Sequence, residues 1–288
     1  MKTDMLLGSG AARLAEAGID NARAEARLLL AHALGVGRDA TLSVSDVTSG
    51  QATAFDGFIG RRAAREPFAY IVGRKEFWSL EFAVGPGVLV PRPETETLIE
   101  QAITFYPGRP HGLSIADLGT GSGCLLVVAM REFPASLGLG IDSSRDAIKW
   151  ARINGLSYNL PARAEMRLDR WDAAPEEAFD LVFCNPPYIS SDDIDRLEPE
   201  VSRYEPRAAL DGGPDGLACY RALATLLPRI LKPGGHAFLE IGVGQAGRVE
   251  PLFRNLEIRA LASDLLGGPR CLVLEKPDNA LGKARPIR

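Results

Sequence analysis

From about residue 113 onward, short apolar runs alternate with stretches whose apolar residues recur every three or four positions. The first pattern is typical of buried strands and the second of amphipathic helices. Their alternation predicts an α/β fold in which helices cover both faces of a mostly parallel sheet. Seven strands are predicted, at Leu113–Leu118, Leu137–Ile141, Ala164–Leu168, Asp180–Cys184, His236–Ile241, Leu256–Ala262 and Arg270–Glu275.

The first 72 residues show no strand pattern and are rich in Ala, Leu, Glu and Arg, which favour helices. One helix is predicted at Ala22–Leu34, with Asp20 as its N-terminal cap and Gly35 at its end. Another is predicted from about Ala52 to Arg65. Residues 1–72 are therefore expected to form a small helical domain.

A β-hairpin is predicted to link this domain to the sheet. Apolar residues alternate between Trp78 and Val84, and the turn signal at 85–87 then leads into Val88–Val90. A helix should open within the segment Pro91–Glu96, because proline fits a first turn and carboxylates favour its positive end. The expected organisation is a linker at 73–92, a sheet domain at 93–277 and a mobile tail at 278–288.

The composition excludes several classes of function. The 288 residues carry a formal net charge of −4, whereas proteins that bind nucleic acid through its phosphates usually have a basic excess. The four cysteines and three histidines lack the spacing of metal ligands, so no metal is expected. The sequence shows no signal peptide and no apolar run long enough to span a membrane. We expect a cytoplasmic protein that requires no membrane and no direct contact with nucleic acid.

A glycine-rich loop follows the first predicted strand of the sheet. Its candidate ligand-binding residues are Asp117, Gly119, Thr120, Gly121, Ser122 and Gly123. Glycines permit a tight turn and a close approach of a ligand to the backbone. The G-x-G-x-G spacing is neither a dinucleotide fingerprint nor a Walker loop. Asp142 ends the next strand, where a carboxylate could accept from both hydroxyls of a ribose or could cap the following helix.

Polar and aromatic residues after the third strand are candidates for an adenine pocket. Asp169, Trp171 and Asp172 follow this strand directly, although Trp171 could equally belong to the core. The glycine-rich loop, Asp142 and these residues would all lie at the edge of the sheet where α/β proteins bind ligands. Together they predict a site for a nucleoside cofactor.

The tetrapeptide Asn185-Pro186-Pro187-Tyr188 ends the fourth strand. Two prolines fix φ and remove two N–H donors, so the Asn185 side-chain oxygen and the Pro186 carbonyl form a rigid pair of acceptors beside the ring of Tyr188. This set suits a planar –NH2 group, although Asn-Pro is also common in ordinary turns. An adenosine cofactor that delivers a small electrophile to an –NH2 nitrogen is S-adenosylmethionine.

Further segments narrow this interpretation. They are Phe68–Gly73, Glu76–Trp78, Val88–Glu96, Asp117–Gly123, Asn185–Ile189, Glu200–Val201, Tyr204–Arg207, Asp211–Gly213 and Asp215–Leu217. Through them, roughly residues 60–275 resemble the peptide chain release factor N5-glutamine methyltransferases, the HemK or PrmC family. The resemblance implies a class I, Rossmann-like methyltransferase fold with a mostly parallel seven-stranded sheet and a helical N-terminal domain. It also implies S-adenosylmethionine as the cofactor and the glutamine of the Gly-Gly-Gln motif in class 1 release factors as the substrate.

The resemblance implies roles for the candidate residues. Asn185, Pro186 and Tyr188 would be catalytic and, with Pro187, would bind the substrate amide. The glycine-rich loop, Asp142, Asp169, Trp171 and Asn185 would bind the cofactor. Further substrate contacts are implied for Arg92, Glu94 and Thr95. The helical domain would dock the release factor, and we expect a monomer.

Some positions depart from the family pattern and leave questions open. Family members often have Asp directly before Trp, whereas this chain has Asp169-Arg170-Trp171, so either Asp169 or Asp172 could approach the adenine. Cys184 stands where a small residue, often Ser, usually precedes Asn185. The main alternative function is an adenine-N6 nucleic-acid methyltransferase, because an exocyclic amine suits the same acceptors. A nucleotide-binding dehydrogenase and a non-catalytic adaptor are weaker alternatives.

Overall fold

The computed structural model describes residues 2–171, 178–265 and 267–278. The chain divides into two compact units. The helical unit comprises residues 1–74 and 197–204, and the sheet unit comprises residues 75–196 and 205–288. Asp172, a candidate adenine contact, and nearly all of the predicted mobile tail lie outside the described residues.

The described secondary structure follows the order of helices, hairpin and sheet along the chain. The α-helices are α1 (Thr3–Glu16), α2 (Ala22–Leu34), α3 (Ser49–Ala63), α4 (Phe68–Val72), α5 (Glu96–Phe105), α6 (Cys124–Glu132), α7 (Arg145–Ser157), α8 (Pro199–Tyr204), α9 (Ala218–Ile230) and α10 (Ala246–Val249). The strands are β1 (Arg74–Phe77), β2 (Leu80–Ala83), β3 (Ser114–Leu118), β4 (Leu137–Asp142), β5 (Ala164–Leu168), β6 (Phe179–Cys184), β7 (Leu231–Glu240), β8 (Glu257–Ser263) and β9 (Pro269–Glu275). None of the helices in these residues is long and apolar enough to cross a membrane.

At the N-termini of two helices in the helical unit, the structure differs from the prediction. The predicted cap of α2 was wrong, because Asn21 rather than Asp20 occupies the capping position. Helix α3 begins at Ser49, earlier than predicted, because Thr48 and Gln51 form a capping box in which each side chain bonds the other residue's backbone N–H. Gly35 ends α2 in the left-handed conformation, as predicted.

A buried arginine joins the distant segment 197–204 to the rest of the helical unit. Arg62 is 6% exposed and forms ion pairs with Glu25 (2.5 Å) and with Glu200 of α8 (2.7 Å). Tyr204, the last residue of α8, donates its hydroxyl to the Ala64 carbonyl at 2.7 Å. Burying a guanidinium is costly unless it is paired, so these contacts tie the segment to α2 and α3.

The linker forms a hairpin whose turn is not the predicted one. Strands β1 and β2 pair with each other, and the turn lies at Trp78 and Ser79, not at residues 85–87. Both residues have positive φ, 53° and 57°, which suits the tight turn of a two-residue hairpin. The Ser79 N–H also donates to the Glu76 carboxylate. The predicted strand at 88–90 is absent, and its Val90 N–H instead donates to a Glu205 carboxylate oxygen.

The predicted α/β fold with a mostly parallel seven-stranded sheet is confirmed. The strand order is β5-β4-β3-β6-β7-β9-β8, and β9 runs in the direction opposite to the other six strands. Strand β3 pairs with β4 on one side and with β6 on the other, so the strand order reverses at β3. A ligand crevice is expected at the carboxyl ends of the strands beside such a reversal.

Helices cover both faces of this sheet with separate apolar cores. One core packs α5, α6 and α7 against one face, and the other packs α9 and α10 against the opposite face. Neighbouring residues of β3 alternate between them, with Ile115 in the first core and Ala116 in the second. Helix α10 is short, because it passes into a 3-10 turn, Glu250–Leu252, that contains Pro251.

Candidate active site

A cavity of about 300 Å³ lies at the carboxyl ends of β3 to β6, within the sheet unit. Most of the predicted site residues line it: Arg92, Thr95, Gly119, Thr120, Gly121, Ser122, Asp142, Asp169, Trp171, Asn185, Pro186 and Pro187. The lining does not include the predicted site residues Glu94, Asp117, Gly123 and Tyr188. Further lining residues, outside the predicted set of site residues, include Leu89, Ala208, Ala209, Asp211 and Cys219.

The glycine-rich loop owes its shape to three residues with positive φ. Gly119, Gly121 and Gly123 have φ values of 73°, 55° and 79°, a region that glycine adopts without strain. The N–H groups of Gly119 and Thr120 both donate to the Ile141 carbonyl, at 2.8 and 2.9 Å. These two hydrogen bonds attach the loop to the end of β4, and the turn of the loop lines the cavity.

Asp142 connects the glycine-rich loop to the start of α7. Its carboxylate accepts from the Gly121 N–H at 3.0 Å and from the Ser144 N–H at 2.8 Å. The cap of α7 itself is Ser144, whose hydroxyl accepts from the Ala147 N–H. Burial raises the pKa of Asp142, although its hydrogen bonds with Ser144 and Gly121 oppose the rise. Asp142 also lines the cavity, where the carboxylate has lone pairs left to accept from a ligand.

Asp117 lies beneath the loop and is 1% exposed. One carboxylate oxygen accepts from the Thr120 hydroxyl at 2.7 Å, and the other, Oδ1, has no hydrogen-bond partner among the described residues. Burial raises its pKa to about 7. A buried polar atom without a partner costs free energy, so Asp117 can bond a ligand donor that reaches beneath the loop.

Thr95 holds the side chain of Asn185 from the opposite side of the cavity. The Asn185 Nδ2 group donates to Thr95 Oγ1 at 3.0 Å, and this hydroxyl donates to Glu240 Oε2 at 2.5 Å. Asn185 Oδ1 accepts no hydrogen bond within the described part of the chain, and the residue lines the cavity. The amide oxygen is therefore available to a ligand.

Sequence reasoning missed Glu240, which organises this side of the cavity. The residue ends β7, is 1% exposed, and accepts from Thr95 and from the Tyr188 hydroxyl, the latter at 3.1 Å. Burial raises its pKa. The ring of Tyr188 packs against the apolar core behind the cavity. The available signal was a single acid at the end of an apolar strand, Phe238-Leu-Glu-Ile241.

A second buried acid supports the segment that contains Arg92. Glu205 is 6% exposed and accepts from Arg92 at 2.6 Å and from the Val90 N–H at 3.2 Å. Its pKa is raised by burial, which outweighs the opposing effect of Arg92. Since Leu89 and Pro91 line the cavity, this pairing fixes one wall of the site.

Comparison with known proteins identifies the family. Residues 6–73 match the PrmC N-terminal domain, and residues 98–197 match the methyltransferase small domain. The release factor glutamine methyltransferase of Rhodospirillum rubrum is 43% identical over 289 residues, which cover 98% of this chain and 87% of that protein. The protein of the same name from Caulobacter vibrioides is 45% identical over 245 residues, which cover 84% of each. The chain belongs to the release factor glutamine methyltransferase family.

A solved structure of another methyltransferase supports the fold alone. The T. thermophilus 16S rRNA N2 G1207 methyltransferase, in complex with AdoMet and guanosine, aligns with a TM-score of 0.50 and 18% identity. The match covers 70% of this chain and 49% of that one. The family and the methyltransferase fold that the sequence predicted are thus confirmed.

The site residues fit S-adenosylmethionine, the cofactor that the sequence predicted. The glycines of the loop leave room for a close approach to the backbone, and Oδ1 of Asp117, which has no hydrogen-bond partner among the described residues, can bond a ligand ammonium group. Acidic side chains at Asp142, Asp169 and Asp211 line a cavity that would receive a cationic sulfonium. Asp169 and Trp171, the candidate residues of the adenine pocket, also line the cavity.

Proposed function

We propose that the chain transfers a methyl group from S-adenosylmethionine to the N5 amide nitrogen of the glutamine in a Gly-Gly-Gln motif of class 1 release factors. The observation that carries this proposal is the environment of Asn185. Its amide donates to Thr95 on one side, while its oxygen stays available at the cavity beside Pro186. Two acceptors at this edge can bind the two N–H groups of a primary amide. The adenine-N6 alternative is not favoured, because the relatives carry the release-factor name.

The two acceptors compensate for the weak nucleophilicity of an amide. Its nitrogen lone pair is delocalised into the carbonyl, so the nitrogen must be oriented and its developing positive charge stabilised. Asn185 Oδ1 and the Pro186 carbonyl would accept from the substrate N–H groups and direct the nitrogen toward the methyl group. S-adenosylmethionine supplies that methyl group as an electrophile. The amide proton can leave after the transfer, so these residues need no strong general base.

Cofactor binding is assigned to the opposite side of the cavity. The backbone of Gly119 and Gly121 and the carboxylates of Asp117 and Asp142 would hold the amino-acid and ribose parts of S-adenosylmethionine. The base would lie beside Trp171 and Asp169. Support comes from the positive φ values, the burial of the Asp117 carboxylate beneath the loop and the position of Asp142 at the cavity.

Substrate contacts outside the amide pocket complete the proposal. Arg92 would contact the loop that carries the glutamine, since it lines the cavity and is held by Glu205. The helical unit would dock the body of the release factor, because a short loop buries too little area for a stable complex. The enzyme would act as a monomer, without nucleic acid, in the cytoplasm where its substrate works.

Incubation with labelled S-adenosylmethionine and a purified release factor tests the proposal. Label should enter the factor, and mass mapping should locate it on the side-chain nitrogen of the Gly-Gly-Gln glutamine. A release factor with Gln→Asn at this position is the control and should accept no label. Label in nucleic acid under the same conditions, with none in the release factor, would replace this function with adenine methylation.

A further inference from the structure

We infer that Glu240 is a positioning residue that sets the orientation of the Asn185 amide through the hydroxyl of Thr95. The inference deepens the proposed function and rests on it, because the orientation matters only if Asn185 Oδ1 receives a substrate N–H. Glu240 itself does not line the cavity, so its action on the reaction must pass through other side chains.

An asparagine amide can rotate by half a turn with little change in shape. The oxygen and the nitrogen have nearly the same size, so packing alone does not select which of them faces the cavity. Only the oxygen can accept from a substrate amide. A rotated side chain would present N–H donors to N–H donors, and the site could not bind its substrate productively.

Thr95 alone cannot select the correct orientation. A threonine hydroxyl has one proton and two lone pairs, so it can either donate to an amide oxygen or accept from an amide nitrogen. Glu240 removes this ambiguity, because Thr95 Oγ1 donates its single proton to Glu240 Oε2 at 2.5 Å. The hydroxyl oxygen then only accepts, and the Asn185 group that can donate to it is Nδ2, at 3.0 Å. The oxygen Oδ1 is thereby assigned to the cavity.

The surroundings keep Glu240 fixed as the acceptor at the end of this chain. Tyr188 donates its hydroxyl to the second carboxylate oxygen at 3.1 Å. The Tyr220 hydroxyl donates to the backbone carbonyl of Glu240 at 3.0 Å. Thr95 and Glu240 are 4% and 1% exposed, so water does not compete effectively for their hydrogen bonds. Two consecutive hydrogen bonds, the second of them buried, therefore determine what Asn185 offers to the substrate.

Single-turnover methylation of an intact release factor by full-length variants tests the inference. Thr95→Val removes the hydroxyl, and Glu240→Gln replaces one of two acceptor oxygens with a donor. Each should slow methyl transfer roughly 10- to 100-fold, while the Kd for S-adenosylmethionine measured by calorimetry stays within about two-fold. Thr95→Ser keeps the hydroxyl and should retain most of the rate. Thr97→Val is the matched control, because Thr97, two residues later in the first turn of α5, is also buried but does not belong to this hydrogen-bond chain.

The same substitutions in an Asn185→Ala background separate positioning from a general structural role. If Glu240 and Thr95 act through Asn185, each should slow the Asn185→Ala enzyme by no more than about two-fold further. Losses that multiply in this background would overturn the inference. A wild-type rate for Glu240→Gln would also overturn it.

A spectroscopic experiment decides the orientation without any methylation. In protein labelled with 15N-asparagine, the Asn185 Nδ2 signals are assigned by their loss in Asn185→Ala. They should shift in Thr95→Val and Glu240→Gln but remain near their wild-type positions in Thr95→Ser and Thr97→Val. Unchanged signals in Glu240→Gln would refute the inference. If the wild-type enzyme failed to methylate a release factor, the proposed function would fall, whereas this experiment would still judge the role of Glu240.

Discussion

The cofactor side and the amide side of the cavity are built in different ways. On the cofactor side, the loop at 119–123 takes its shape from glycines within five consecutive residues, and Asp142 bonds it from the next strand. On the amide side, Asn185 depends on Thr95, 90 residues earlier, and Thr95 depends on Glu240, 145 residues later. The first half is specified by local backbone conformation, whereas the second is specified by side chains that only the folded sheet brings together.

This difference predicts different consequences of mutation. Substitutions on the amide side should slow methyl transfer and leave the cofactor site intact, because they alter the direction of acceptors. Substitutions on the cofactor side should change cofactor affinity or folding stability. The reason is that Asp117 and Asp142 both accept hydrogen bonds from the loop, from the Thr120 hydroxyl and the Gly121 N–H respectively. Four predictions test this contrast.

The largest effect is expected for Asn185→Ala on the amide side. The variant loses one of two preorganised acceptors, which in comparable sites costs about 10²–10³ in rate, or about 2.7–4 kcal/mol. Single-turnover kinetics should show this loss, and calorimetry should show nearly unchanged binding of S-adenosylmethionine. The exposed Asn255→Ala is the control and should keep the wild-type rate. A rate within a few-fold of wild type for Asn185→Ala would refute the amide assignment.

Asp117, on the cofactor side, should make the free energy of unfolding depend on pH. Burial raises its pKa from 3.8 to about 7, so the folded protein keeps a proton that the unfolded chain has already lost. The free energy of unfolding should therefore fall as pH rises from about 4 to about 7 and level off above pH 7. Between pH 5 and 7, the fall attributable to Asp117 is on the order of 2–3 kcal/mol.

Urea unfolding of the cofactor-free protein and of Asp117→Asn measures this contribution. The variant cannot titrate at this position, so the difference between the two proteins should change with pH in the stated direction. A difference that stays constant from pH 5 to pH 8 would mean that Asp117 is already ionised throughout this range.

Asp142→Ala should weaken cofactor binding and spare the chemical step. A carboxylate that accepts from ribose hydroxyls contributes about 1.5–3 kcal/mol, so the Kd should rise about 10- to 100-fold. The rate at saturating cofactor should change much less. Glu165→Ala removes an exposed acid from β5, away from the cavity, and should leave the Kd unchanged. If the Kd is unchanged in Asp142→Ala, Asp142 does not bind the cofactor and only connects the loop to the start of α7.

The smallest effect is expected for Gly123→Ala. A Cβ at this position would lie 3.2 Å from the Ala151 backbone, at a φ of 79°, so the variant should lose about 1–2 kcal/mol of stability. Gly57→Ala, in the middle of α3 with no atom within 4 Å of the added Cβ, should instead gain about 0.5–1 kcal/mol. Thermal unfolding of both variants gives the comparison. Equal effects would show that the loop imposes no special backbone requirement.

The same contrast explains how much could be predicted from sequence. The sheet, its strand positions and the glycine-rich loop follow from short-range patterns, and each was predicted. The role of Glu240 was missed because its partners, Thr95 and Tyr188, lie 145 and 52 residues away, and only the register of β7 with β6 brings the acid beside Asn185.

The sequence predictions were wrong where two local signals competed for the same turn or the same helix cap. Gly85-Pro86-Gly87 is a strong turn signal, yet the hairpin turns at Trp78 and Ser79, two residues that rarely adopt positive φ. The structure compensates with a hydrogen bond from the Ser79 N–H to Glu76, which the pattern of apolar residues does not reveal. Similarly, Asp20 and Asn21 are both good caps, and the sequence alone could not choose between them.

The ion pairs of Arg62 have a consequence for synthesis of the chain on the ribosome. Helices α1 to α4 emerge first, but Glu200 and the rest of α8 are translated more than a hundred residues later. Of the two carboxylates that form ion pairs with Arg62, Glu25 is therefore made first and Glu200 much later. The first-made unit is therefore completed only after four parallel strands, β3 to β6, have also been made. A nascent chain released before residue 204 carries an unfinished helical unit, because it lacks part of the segment 197–204 that belongs to this unit.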